Sequence, residues 1–324
     1  MDQYTNYNYN GGRSAVSDAR RSTSLSALAI AGVFLLSSVA QIILHTVVSI
    51  AYPALMENDW YMWALSILPM YAFAMPLCYL FVRALPKSVP QKQSVHPLAW
   101  FGFLSLCFAL SFAASYLGQI ISAWLSELTG IGTENQLEEM TVNTSLGVNI
   151  LFVGILAPIF EELFYRKVII DRLHRYGDLP AILLSGLAFG LVHGNLNQVF
   201  YATAIGMLLG YIYVRTGSVL YTISIHSAFN MIGGVFSTEI IRRMGEDSMP
   251  ALDDMTGWIM LLAYSMFCVF AIVVSIIFLG VAGRRFRTSL QEGECTLTFG
   301  QWLRALIFNP GIWVFLFVIF LLFI

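Results

Sequence analysis

Apolar residues run along this chain in blocks, with short polar stretches between them. Nine blocks stand out, at residues 25–52, 60–84, 97–126, 146–170, 179–195, 197–215, 218–236, 257–283 and 302–324. Most have the length, about 20 residues, at which a helix rising 1.5 Å per residue crosses a hydrocarbon core. The pattern predicts an all-α, polytopic bundle of transmembrane helices. The fifth and sixth blocks are joined almost without a loop, and the last is interrupted by Asn309, Pro310 and Gly311, so the count is eight to nine. Asp178 ahead of Pro180 reads as a helix cap with proline in the first turn. Arg215 to Ser218, "RTGS", reads as a tight turn between two spans. Four regions follow: a polar, disordered tail at 1–24, three spans at 25–126, a core at 146–236 and C-terminal spans at 257–324. The tail is too long for the leader of a cleaved signal peptide, so the first block reads as a retained anchor.

Composition sharpens this picture. Of the 324 residues, 58% are hydrophobic and 11% charged, against roughly 25% charged in a soluble domain. No large soluble domain fits, so any chemistry lies within or beside the membrane. Cys78, Cys107, Cys268 and Cys295 are scattered and read as small apolar residues. The net charge of −2 says nothing about partners; the lipid bilayer is one, and no nucleic acid is expected.

The cations set an expected orientation. With the N-terminus cytoplasmic, fifteen of the 17 Lys and Arg residues fall on the inner side, and only Arg242 and Arg243 fall outside. Such a bias is what the positive-inside rule describes. The outer segments are acidic, with Glu127, Glu134, Glu138 and Glu139 ahead of the fourth block, where a short interfacial helix or a solvated loop is expected.

Against that background "PIFEELFYRK", residues 158–167, is anomalous. A charge at mid-bilayer costs about 2.5–3.5 kcal/mol or more, and here Glu161 and Glu162 are adjacent. Glu162 and Arg166 are four apart, the acid N-terminal to the base, and so form an ion pair on one face. Arg166 also lies near the cytoplasmic end, where it can snorkel. Glu161 points about 100° away and needs partners from elsewhere. Candidates are His193, four residues after Phe189, and His226, four residues before Asn230. Counted along their helices, Glu161 and His226 lie about 13 Å deep, and His193 and Asn230 about 20 Å. Taken singly, each polar residue reads as helix-packing glue, or Glu161 as a proton relay. Together, a carboxylate with an imidazole makes a general base, and an imidazole with a carboxamide makes an oxyanion site. His45, His96 and His174 read as structural, with no partner expected for His45. Pro158 should release the carbonyl of Gly154 and kink the fourth span.

"EELFYR", "FGLVH" and "HSAFN" resemble, in order, the motifs E-E-x-x-x-R, F-x-x-x-H and H-x-x-x-N of the CAAX prenyl protease and bacteriocin-processing family of intramembrane proteases. The resemblance covers about residues 146–236, and no motif position is substituted. It implies a membrane endopeptidase in which Glu161, helped by His193, activates water, and His226 with Asn230 stabilises the oxyanion. Glu162 and Arg166 become supporting residues, and the implied partner is a peptide or membrane-protein substrate, in a bacterial membrane. No metal cofactor is expected, because no two histidines share a helix in H-x-x-x-H spacing. If zinc were used, Glu161, His193 and His226 would hold it. The rival reading is a non-enzymatic scaffold or immunity protein of the same fold.

Overall fold

Each of the nine predicted blocks is helical in the computed structural model, which describes residues 14–93, 95–129, 136–244, 249–287 and 290–323, without the side chains of residues 129, 136–138 and 282–287. In chain order the main helices are α1 (Ala15–Ala51), α2 (Tyr61–Val82), α3 (Pro97–Leu128), α4 (Leu146–Tyr176), α5 (Asp178–Leu191), α6 (Leu196–Thr216), α7 (Val219–Met244), α8 (Met255–Val281), α9 (Phe299–Ile307) and α10 (Pro310–Leu322). Seven of them are long and apolar enough to cross a membrane. An eighth crossing is made if α9 and α10, bent by 63°, count as one broken span. The chain is an integral, multi-pass membrane protein.

The predicted fifth span is the exception. Helix α5 has 14 residues, about 21 Å of rise, short of a hydrocarbon core of roughly 30 Å. Nor does Asp178 cap it: the cap position is Gly177, at φ 113°. The Asp178 carboxylate instead accepts from the Gln291 backbone N–H and from His174. A short helix, Gln136–Val142, stands ahead of α4, and Glu134 lies outside the described residues.

At the other end of the chain α1 starts early. The predicted tail reaches residue 24, yet the helix begins at Ala15, with the Ser14 side chain accepting the Ser17 N–H. The polar residues that suggested disorder make a buried seam instead. The Ser22 hydroxyl meets the Tyr176 hydroxyl at 2.9 Å, and Asn309 donates to Thr23 Oγ1 at 2.9 Å and to the Arg20 carbonyl at 3.1 Å. Residues 1–13 of the predicted tail lie outside the described residues.

Polar contacts gather at the two ends of the bundle. At one end Arg172 donates to the Val82 carbonyl, the Ser88 N–H to the Asp171 carbonyl and the Gln93 N–H to the Thr216 carbonyl, while Arg175 pairs with Asp18. At the other end Arg242 donates to the Val142 carbonyl, the Ser145 N–H to Asp59, and Arg243 pairs with Asp254. Helix α6 is the most enclosed span and α8 the least. Close contact between α5 and α6 depends on glycine: a Cβ at Gly186 would stand 2.7 Å from the Met207 nitrogen, and one at Gly190 would strike Thr203. Small residues allow such approach in membranes. The turn from α6 to α7 uses Gly217 at φ 60°, as "RTGS" predicted.

Candidate active site

The site is built where α4 and α7 leave ordinary helical register. In α4, wide turns with i→i+5 hydrogen bonding occupy Ile150–Leu156 and Leu163–Ile170, and in α7 they occupy Met231–Phe236. Glu161 and Glu162 sit between the two wide stretches of α4, on Ala157–Glu162. Such bulges recur at functional sites. Pro158 acts through this register. In i→i+5 spacing, position 158 would donate to the carbonyl of Val153, and proline has no N–H to give. The orphan carbonyl is therefore Val153, not Gly154 as ordinary spacing predicted. Asn230 satisfies it, its Nδ2 donating at 3.0 Å.

Glu162 is held by three hydrogen bonds from two residues. Arg166 Nε and Nη2 donate to its two oxygens at 2.9 and 3.1 Å, a bidentate clamp. From α7, His226 Nδ1–H donates to Oε1 at 3.1 Å. Glu162 and Arg166 are both 0% exposed, so Arg166 pairs with Glu162 as the spacing predicted and does not use the option of snorkelling. Its third nitrogen, Nη1, donates to Ser185 on α5 at 3.2 Å, and Ser185 donates in turn to the Tyr165 carbonyl. With partners that close, a guanidinium gains nothing by reaching for water.

Glu161 faces a different environment. Its side chain is 20% exposed. Oε1 accepts from the Tyr71 hydroxyl of α2 at 3.1 Å, and Oε2 lies 3.8 Å from His226 Nε2. The two ring nitrogens of His226 thus address the two adjacent carboxylates. Glu161 and His193 both line a cavity of about 160 Å³. His193 Nδ1–H donates to the Phe189 carbonyl at 2.7 Å, which leaves Nε2 with its lone pair free to accept. Phe189 packs edge-on against both imidazoles, at 5.0 Å from His193 and 5.8 Å from His226, and carries the Arg166 guanidinium over its face at 5.6 Å.

The structure therefore brings Glu161, Glu162, Arg166 and His226 into direct contact, and His193 to the same cavity as Glu161. Asn230 sits one turn beyond His226, with one amide hydrogen given to Val153. Among the described residues no three His, Cys, Asp or Glu side chains form a metal-holding group.

Sequence reasoning missed Tyr71 and Ser185. Ser185 had a faint signal, a hydroxyl next to Gly186 in an otherwise apolar helix. Tyr71 follows Pro69 in a wide stretch of α2, Leu68–Ala74, and nothing local points it at Glu161. His45 has a partner after all, its Nδ1 lying 2.9 Å from the Tyr61 hydroxyl.

Comparison with known proteins bears on this core. A family model described as Type II CAAX prenyl endopeptidase Rce1-like matches residues 143–232. A protein of Bacillus subtilis (strain 168), named "Putative membrane peptidase YdiL", is 26% identical over 190 residues, covering 56% of this chain and 75% of its own length. No solved structure matches significantly.

Proposed function

Since residues 143–232 belong to the CAAX prenyl protease and bacteriocin-processing family, we propose that this chain is an intramembrane endopeptidase with Glu161 as its general base. The observation that carries the reading is the contrast between adjacent carboxylates: Glu161 opens on a cavity, while Glu162 is clamped by Arg166 and His226. A water in that cavity gives one proton to Glu161 and a hydrogen bond to His193 Nε2, and its oxygen attacks the scissile carbonyl. The oxyanion so formed is met by the second amide hydrogen of Asn230 and by His226 Nε2–H, which requires both ring nitrogens of His226 to carry a proton, Nδ1–H resting on Glu162. Collapse breaks the C–N bond, and the proton held by Glu161 passes to the leaving nitrogen. No metal enters this sequence. The substrate is a peptide or membrane protein whose scissile bond reaches the bilayer.

The test compares membrane peptidomes of cells making the native chain or Glu161→Gln at matched levels. Peptides that accumulate with the variant, and disappear with the native chain, support the proposal. Identical peptidomes together with an unchanged cell phenotype would leave a scaffold role in its place.

A further inference from the structure

His193 stands beyond the end of its helix. Helix α5 stops at Leu191, and the chain turns through Val192, His193 and Gly194. The His193 N–H donates to the Gly190 carbonyl at 3.2 Å and the Gly194 N–H to the Leu191 carbonyl at 3.3 Å. A reacting side chain keeps its aim only where packing holds the backbone that carries it. Here the packing comes from outside the family segment of residues 143–232. Gly194 lies at φ 61°, and a Cβ there would stand 3.1 Å from Leu322 Cβ and 3.2 Å from the Leu322 carbonyl oxygen. The end of α10 is therefore seated against the turn, and glycine serves both the left-handed backbone and the close approach.

The other end of α10 is anchored. Asn309 is fully buried. Its Nδ2 donates to Thr23 and to the Arg20 carbonyl of α1, while Oδ1 accepts the N–H groups of Gly311 and Ile312 and so caps α10. A Cβ at Gly311 would strike Ser24, so α10 starts flush against α1. Along the way Phe315, Val318 and Ile319 join Ile30 and Val33 of α1 in one apolar cluster. Helix α10 has 13 residues, about 20 Å of rise, which matches the depth counted for His193 along its own helix.

We propose that α10 is a positioning element for His193: locked to α1 at Asn309, it braces the Gly194 turn and so holds the imidazole toward the cavity it shares with Glu161. The inference rests on the reading of Glu161 and His193 as the pair that activates water. A misplacement of about 1 Å from a change far from the chemistry can cost about 10²-fold in rate, so the anchor bears on turnover although it touches no substrate.

The test uses the full chain purified in detergent. Its reporter is a peptide, drawn from a proteome-derived library, that the native chain cleaves and Glu161→Gln does not. Asn309→Ala loosens α10 at its far end and should lower kcat per folded molecule about tenfold with KM unchanged. Thr23→Val, which removes one acceptor of Asn309, takes its place if that variant does not fold. Gly194→Cys with Leu322→Cys sets two thiols close to the Cβ spacing of a disulfide, about 3.5–4.5 Å. The bond should form on oxidation and be found by mass spectrometry of the unreduced digest. Combined with the loosening variant, it should return kcat to that of the same oxidised pair with the anchor intact, and reductant should undo the gain. Absence of the 194–322 disulfide, an unchanged kcat on loosening, a change in KM alone, or a loss that the disulfide leaves in place overturns the positioning role. Equal cleavage by the native chain and Glu161→Gln across the library overturns the catalytic reading, and the positioning role with it.

Discussion

Glu161 and Glu162 share a helical turn, yet one lies in a closed polar cluster and the other at the edge of an apolar cavity. Around Glu162 every strong donor is spent on the carboxylate: two from Arg166 and one from His226, with Ser185 closing the far side of the guanidinium. Around Glu161 a single tyrosine hydroxyl donates, His226 Nε2 stands 3.8 Å from the other oxygen, and the side chain lines the cavity. A buried carboxylate with all its partners is structural, since any reaction would have to break the network. A carboxylate with capacity to spare beside a cavity can take a proton. His226 joins the two environments, and through it the packing of one fixes the geometry of the other.

The sharpest way to break this contrast is to neutralise each acid in turn. Glu161→Gln keeps shape and removes the base, so cleavage per folded molecule should fall about 10²–10⁴-fold with thermal unfolding unchanged. Glu162→Gln should do the reverse. It strands a fully buried guanidinium, a loss of about 3–5 kcal/mol, and the expected readout is low expression and an early melt. Glu162→Gln combined with Arg166→Met removes the stranded charge and should recover part of that stability. A folded, inactive Glu162→Gln beside an active Glu161→Gln would reverse the two roles.

Smaller effects refine the boundary. Tyr71→Phe removes one hydrogen bond, worth about 0.5–1.5 kcal/mol net, and should slow cleavage by no more than about tenfold. A loss as deep as that of Glu161→Gln would make the phenol part of the chemistry. The least change is expected from metal removal: dialysis against a strong chelator should leave the cleavage rate as it was. Activity lost to chelation and restored by zinc would recast Glu161, His193 and His226 as ligands.

Much of this contrast was legible in the sequence because it depends on helical spacing. The i,i+4 relation of Glu162 to Arg166, and of His226 to Asn230, put the right residues on shared faces. The apolar blocks gave the bundle. What spacing could not give was register and partners from distant helices. Wide turns moved the orphan carbonyl from Gly154 to Val153, and with it the anchor of Asn230. The full enclosure of Arg166 was not legible along one helix, because Ser185 and His226 arrive from two others. Tyr71 belongs to a helix with no motif at all. The early start of α1 was hidden for a related reason: Ser22 and Thr23 look like tail residues until Tyr176 and Asn309 are placed against them.

Helix α4 must also enter the bilayer as the chain is made. Four of its charges couple along the helix itself, Glu162 with Arg166 and Lys167 with Asp171, each pair four residues apart. These couples close as soon as the helix winds, so the insertion machinery meets them already neutralised. Glu161 has no such companion on α4 and would carry the full penalty of a lone charge. Its hydroxyl donor, Tyr71, belongs to a helix synthesised earlier and is present when α4 arrives; His226 comes only later, with α7. The order of synthesis thus shelters the base before the site around it exists.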